Sequence, residues 1–182
     1  MIFWFIFGFA TIWLAALAFC DCKWRRLPNE LTLPGVVIFP LVWFLLHGKA
    51  GLISSLLGLL IGGLFLLLPY LLRGAGAGDV KMLAAVGALA GYPGIFLTLI
   101  ITSVCGLILG VVMIVAGKTD SARLVHYFRC CFDWNYDRVT GAAHLPDKKR
   151  EKVRIPYGVA IAAGMWGNLA ISAFLRIKEI FM

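Results

Sequence analysis

Long runs of apolar residues dominate this sequence, and they constrain the fold more than any other feature. Of its 182 residues, 62% are hydrophobic and only 14% are charged, and the mean hydropathy is +0.93. Soluble domains have about 25% charged residues, whereas a membrane helix needs roughly 20 apolar residues. The runs are continuously apolar and do not alternate, which favours helices over a transmembrane barrel. The composition therefore predicts an all-α, polytopic membrane helical bundle.

Short polar segments divide the chain into six predicted transmembrane helices within a single membrane-embedded domain, residues 1–182. A break at 47–49 separates the second helix from the third, and a turn signal at 91–94 separates the fourth from the fifth. Two of the segments are too short to be assigned by length alone. The approximate bounds of the six are 2–20, 31–46, 51–72, 80–91, 94–116 and 156–175.

The positions of Lys and Arg predict how these helices are oriented. Such residues concentrate in short cytoplasmic loops, and the basic regions here are 23–26, 73–81 and the long polar segment 117–154. If all three are cytoplasmic, the chain between neighbouring regions crosses the membrane an even number of times. Six spans result, with both termini outside and a cytoplasmic loop at 117–154. The net charge of +8 then reflects membrane orientation, and no nucleic-acid partner is expected.

Two carboxylates occupy unusual positions for so apolar a chain. Asp21 directly follows the first predicted span and Asp79 opens the fourth, so both are expected at cytoplasmic helix ends and at similar depth. An ionisable group at the membrane is costly unless it has a partner, water or a function. Two carboxylates that share a proton titrate separately. One can then take a proton from water while the other donates to a carbonyl oxygen, as in aspartic peptidases.

The sequence also allows simpler interpretations of these residues. Asp79 suits the N-terminus of a helix, where the helix dipole favours a negative charge, and Asp21 can balance the neighbouring cations. Lys81 either tunes the acids, contacts substrate or anchors the cytoplasmic side. The glycines before Asp79 permit positive φ or a close backbone approach, so an extended substrate segment can lie against 74–78.

Three motifs, in matching order, resemble the membrane aspartic peptidases that cleave type IV prepilins and archaeal preflagellins. Residues 76–79, GAGD, with Lys81 resemble the GxGD motif of that family. Residues 21–29, DCKWRRLPN, resemble its first motif, and 155–158, IPYG, resemble its final-span signature. The family usually has proline where this chain has Val159, and we do not expect this difference to affect catalysis.

The resemblance implies a function and a site. Asp21 and Asp79 would be the catalytic pair of an endopeptidase that removes the short basic leader from type IV or Flp prepilins and pilin-like proteins. The reaction would occur at the cytoplasmic face of the bacterial inner membrane, with prepilin or pseudopilin substrates and the lipid bilayer as partners and without a cofactor. The short chain resembles the tight-adherence (Flp) branch, without the N-terminal methyltransferase extension. The residues that would bind substrate or shape the site are Gly76, Gly78, Lys81, Pro156 and Gly158.

Other classes of function give different expectations. A catalytically inactive membrane subunit of a pilus or secretion system has no need for two acids, and a small transporter usually places polar groups near the middle of the membrane. A metal site is not expected, because the spacings of Cys20 and Cys22 and of Cys130 and Cys131 fit no usual zinc motif. These cysteines are predicted to be mostly free thiols.

Overall fold

The computed structural model describes residues 2–24, 27–71, 75–116 and 156–181, and this part of the chain is all-helical, as predicted. Contacts divide the chain into one unit of residues 1–106 with 156–182 and a second of residues 107–155. Of the second unit only 107–116 are described, so the predicted loop 117–154 lies outside the described residues. The helices are α1 (Ile2–Trp24), α2 (Asn29–Leu71), α3 (Ala77–Ala90), α4 (Gly94–Val115) and α5 (Tyr157–Phe181).

Among the described helices, α1, α2, α4 and α5 contain segments long and apolar enough to cross a membrane, with mean hydropathies of 1.6 to 2.7. The 14 residues of α3 give a helix only about 21 Å long. In contrast, the 43 residues of α2 would extend about 65 Å if straight, roughly twice the hydrocarbon thickness of a bilayer.

Helix α2 reverses direction at Gly48, where φ is 63° and ψ is −147°. This is a backbone conformation that glycine adopts without steric cost. A Cβ added to Gly51 would meet the backbone carbonyl of Trp43, although eight residues of straight helix span about 12 Å. The helix is therefore a hairpin whose first arm is 29–47 and whose second arm is 49–71.

Helix α3 lies between the two arms, and their side chains complete its C-terminal end. The last carbonyls of any helix have no intrahelical donor, and an unsatisfied carbonyl in a bilayer costs several kcal/mol. The Ser55 hydroxyl donates to the Ala88 carbonyl at 2.7 Å, and the Trp43 indole N–H donates to the Leu89 carbonyl at 3.1 Å. These bonds hold α3 in the hairpin.

Glycines allow the second arm to approach α3 at backbone distance. A Cβ added to Gly58 would meet the carbonyl oxygen of Gly87, and one added to Gly87 would lie 2.8 Å from the Gly58 carbonyl carbon. A Cβ at Gly62 would likewise meet the Leu83 carbonyl oxygen. Close approach at small residues is the usual way in which membrane helices pack. Because the atoms in contact belong to the backbone, they cannot rotate away from a larger side chain.

We therefore expect Gly58→Ala to destabilise the protein. The added methyl group would push α2 and α3 apart, and overpacking of this kind costs about 1–3 kcal/mol. The melting temperature of the purified protein in detergent measures the effect. Gly63→Ala is the matched control, because a Cβ there would lie 3.5 Å from the Ala84 Cβ, an ordinary contact. Equal melting temperatures for the two variants would contradict the close approach at Gly58.

Helix α5 is fixed beside α4 by a buried amide. The Asn168 side-chain nitrogen donates to the Gly94 carbonyl at 3.0 Å and to the Thr98 hydroxyl at 2.8 Å. Polar side chains in membrane helices face the bundle interior and pair there, as this one does. Helix α5 also packs against α1 and α3, the two helices that carry the acids.

Candidate active site

Asp21 lies inside α1, because the helix continues past the predicted span end at residue 20 to Trp24. Its side chain is buried, with 5% of its surface exposed. Gly158, in the first turn of α5, lies against this carboxylate: a Cβ added there would be 2.7 Å from Asp21 Oδ2 and 3.0 Å from Cγ. The absence of a side chain at Gly158 thus leaves the space that the Asp21 carboxylate occupies.

Pro156 precedes that first turn and begins the helix. Its carbonyl accepts the Val159 N–H at 3.2 Å, and proline is favourable at a helix start, because its missing N–H would have no intrahelical partner there. This bond involves the position at which the chain differs from the family pattern. A proline at 159 would have no N–H to donate to it. Pro156 therefore lies at the start of the turn that contains Gly158.

Asp79 caps the start of α3, so the role at a helix N-terminus that the sequence allowed for this residue is present in the structure. The N–H of Gly76 donates to Asp79 Oδ2 at 3.1 Å, and the Asp79 N–H donates to the Gly76 carbonyl at 3.1 Å. A carboxylate can accept about four hydrogen bonds, so capping does not exclude a catalytic role. Asp79 is half-buried, in contrast to Asp21.

The first turn of α5 links the surroundings of the two acids. Gly158 contacts Asp21, and its neighbour Tyr157 lies within electrostatic range of the Asp79 carboxylate. The Tyr157 ring packs on α4, where a Cβ added to Gly106 would lie 2.8 Å from Cε2. Tyr157 lies within the third motif beside Gly158, but the motif alone did not predict a role for it.

The glycines before Asp79 act differently from the open backbone that was considered. Gly76 is extended, with φ −86° and ψ 148°, and Gly78 is already helical. Among the described glycines, positive φ occurs at Gly48 and Gly91, so neither Gly76 nor Gly78 uses that freedom. Gly78 instead allows a close approach, because a Cβ there would lie 3.1 Å from the Leu27 Cβ. Residues 72–74 lie outside the described part.

Lys81 reaches back to the first motif. Its Nζ donates to the Asn29 side-chain oxygen at 2.9 Å, and Asn29 is the first residue of α2. The GxGD motif and the first motif thus meet in space through a solvent-exposed hydrogen bond. Asn29 belongs to the first motif, but its partner was not predictable from the sequence, because the two residues are 52 positions apart.

Cysteines near the site are free thiols, as predicted for most of them. Cys20 is buried, Cys22 is exposed and Cys105 is partly buried. Within the described residues, no group of three His, Cys, Asp or Glu side chains is arranged to hold a metal ion. Cys130 and Cys131 lie outside the described residues.

These features define a helical membrane protein in which acids from two helices lie beside one turn of a third. Comparison with known families agrees with that description and makes it specific. The chain belongs to the type IV leader peptidase family, which it matches over residues 8–111. The matched region contains Asp21 and Asp79 and ends before the third motif.

Several proteins named prepilin leader peptidase/N-methyltransferase are similar to this chain. That of Stutzerimonas stutzeri is 35% identical over 126 residues, covering 63% of this chain and 42% of that protein. That of Xanthomonas campestris is 32% identical over 136 residues, covering 66% and 45%, and that of Pseudomonas aeruginosa is 37% identical over 107 residues, covering 52% and 37%. The aligned region thus spans less than half of each relative. No solved structure matches the chain.

Proposed function

We propose that this chain is an aspartic endopeptidase that removes the short basic leader from type IV or Flp prepilins and pilin-like proteins. Asp21 and Asp79 are the catalytic pair in this proposal. Membership of the family and the names of the relatives support the reaction. The observation that carries the residue assignment is the contact of Gly158 with the Asp21 carboxylate in the first turn of α5, whose neighbour Tyr157 lies within electrostatic range of Asp79.

In the proposed reaction, one carboxylate is ionised and takes a proton from a water molecule, and the other is protonated and donates to the carbonyl oxygen of the scissile peptide. The water oxygen bonds to the carbonyl carbon and forms a tetrahedral intermediate. The carbon–nitrogen bond then breaks, the amine leaves with a proton from the pair, and the carboxyl product forms. The protein supplies both proton transfers, so the reaction needs no cofactor.

We also propose six spans, with both termini outside and the site at the cytoplasmic face of the inner membrane. The α2 hairpin supports this arrangement, since its two arms are each long enough to span a bilayer. Along the first arm, Asn29 meets Lys81 and Trp43 meets Leu89. Helix α3 therefore runs parallel to this arm, with both motifs at one end of the bundle and Gly48 beyond the other.

The proposed topology predicts different labelling of two thiols. In cells, a membrane-impermeant maleimide should label a cysteine introduced at Lys49→Cys, because the hairpin tip is outside. It should label Cys22, which is exposed near the site, only after the membrane is permeabilised. Each thiol is tested in its own protein: one has Lys49→Cys and no native cysteine, and the other keeps Cys22 alone. The remaining native cysteines are replaced by serine. Labelling of Cys22 in intact cells would contradict the cytoplasmic site.

The activity itself is tested with a pilin-like precursor that has a basic leader before its hydrophobic helix. Membranes that contain this chain should convert the precursor to a shorter product, which a gel separates and whose new N-terminus mass spectrometry identifies. Membranes without the chain provide the control. A precursor that stays intact beside correctly folded protein would favour the inactive-subunit alternative, since Asp79 would then serve only as a helix cap.

A further inference from the structure

Residues 27–29, which lead into α2 and are called the loop below, dock on the start of α3 through two contacts. Leu27 packs against Gly78, where an added Cβ would lie 3.1 Å from the Leu27 Cβ. Asn29 accepts a hydrogen bond from Lys81 Nζ at 2.9 Å. We refer to these four residues together as the loop–α3 contact.

The loop–α3 contact joins a segment that follows Asp21 in the chain to residues on either side of Asp79. Gly78 directly precedes Asp79, and Lys81 follows it two positions later; on the other side, α1 ends at Trp24, within one turn of Asp21. A shift of the loop relative to α3 therefore changes the separation of the helix ends that carry the carboxylates. The hydrogen bond at Asn29 and Lys81 opposes such a shift.

We infer that Asn29 and Lys81 are positioning residues, whose hydrogen bond holds the loop on α3 and so aligns Asp21 with Asp79. This inference rests on the proposed peptidase function. It assigns Lys81 a role through Asn29, in place of a direct effect of its charge on the acids. The side chain of Asn29 is the acceptor that this role requires.

Because the hydrogen bond between Asn29 and Lys81 is exposed, a positioning role and a purely structural role predict different effects of its loss. An exposed hydrogen bond contributes little to global stability, whereas a displacement of reacting groups by about 1 Å can slow a reaction about 100-fold. Loss of the bond should therefore affect the rate of cleavage far more than the melting temperature. Because the Leu27 and Gly78 contact remains, we expect an intermediate loss of about tenfold.

The kinetic test compares Asn29→Ala and Lys81→Met with the wild-type chain in membranes. Each should lower kcat for leader removal about tenfold with little change in KM, and the double variant should be no slower than either single variant, because both remove the same bond. Asn29→Asp keeps an acceptor for Lys81 and should restore most of the rate. Lys49→Met, at an exposed lysine of the hairpin tip, is the control. Losses that multiply in the double variant would overturn the inference.

A second test does not depend on activity. In a chain whose native cysteines are replaced by serine, Leu27→Cys with Gly78→Cys should form a disulfide on mild oxidation, because their Cβ atoms would be close to the 3.5–4.5 Å of disulfides. Adding Asn29→Ala should slow this cross-linking about tenfold, and adding Asn29→Asp should not. Cross-linking that ignores Asn29→Ala would overturn the inference. If cross-linking depends on Asn29 but no precursor is cleaved, the positioning contact stands and the proposed peptidase function fails.

Discussion

Asp21→Asn and Asp79→Asn are each expected to abolish leader removal without unfolding the protein. Each variant removes one of the two groups that exchange protons with water and substrate, so kcat should fall at least about 1,000-fold. The double variant should be no slower than either single one, since the acids act as a unit. Cleavage is measured on the precursor in membranes, with the melting temperature measured in parallel.

The Asp79→Asn variant separates chemistry from capping. An asparagine side-chain oxygen can still accept the Gly76 N–H, so the start of α3 is preserved while the ionisable group is lost. Glu30→Gln is the matched control, because Glu30 is an exposed acid at the start of α2 and should have no effect on the rate. Retention of cleavage within tenfold of wild type, in either aspartate variant, would contradict the assignment of that residue.

Gly158→Ala is expected to slow cleavage about 100-fold while the melting temperature changes little. The new methyl carbon would lie 2.7 Å from Asp21 Oδ2, so the carboxylate has to rotate away. Rotation of a short side chain costs the fold little, but a displacement of about 1 Å from the reactive position is enough for a loss of this size. The same substitution in an Asp21→Asn background should cause no further loss.

Gly8→Ala is the control for this prediction. Gly8 lies in α1, the helix that carries Asp21, and an added Cβ there would meet no atom within 4 Å. Both rate and stability should therefore stay at wild-type values. If Gly158→Ala lowered the melting temperature in proportion to the rate, Gly158 would serve packing between α1 and α5 and not the position of the carboxylate.

The helical class and the places of Asp21 and Asp79 near helix ends were predictable because they depend on local chemistry. An apolar run in a bilayer must satisfy its own backbone hydrogen bonds, so each run predicts a helix. The turn at Gly91–Gly94 was also predictable from the sequence. In the structure, the Tyr92 N–H in this turn donates to the Ser54 carbonyl at 3.0 Å. Helix α1 continues four residues past the predicted span. The Lys23 side chain reaches the faces of Phe19 and Trp24, so its charge does not stop the helix.

Pairings between helices were not predictable, because they depend on register. Gly58 and Gly62 form a small-residue pair that favours close helix packing, but nothing in their sequence names Gly87 and Leu83 as their partners. The contact of Lys81 with Asn29 was not predictable for the same reason. Each residue belongs to a recognisable motif, and only the fold of α2 and α3 brings the motifs together.

The position of α3 inside the α2 hairpin has a consequence for biosynthesis. Helix α3 carries Asp79 and Lys81, is too short to span the bilayer comfortably, and has its last carbonyls bonded by Ser55 and Trp43. Both donors leave the ribosome before α3 does. We expect the hairpin to enter the membrane first and to receive α3 afterwards, so that the order of translation determines when the second acid reaches its place.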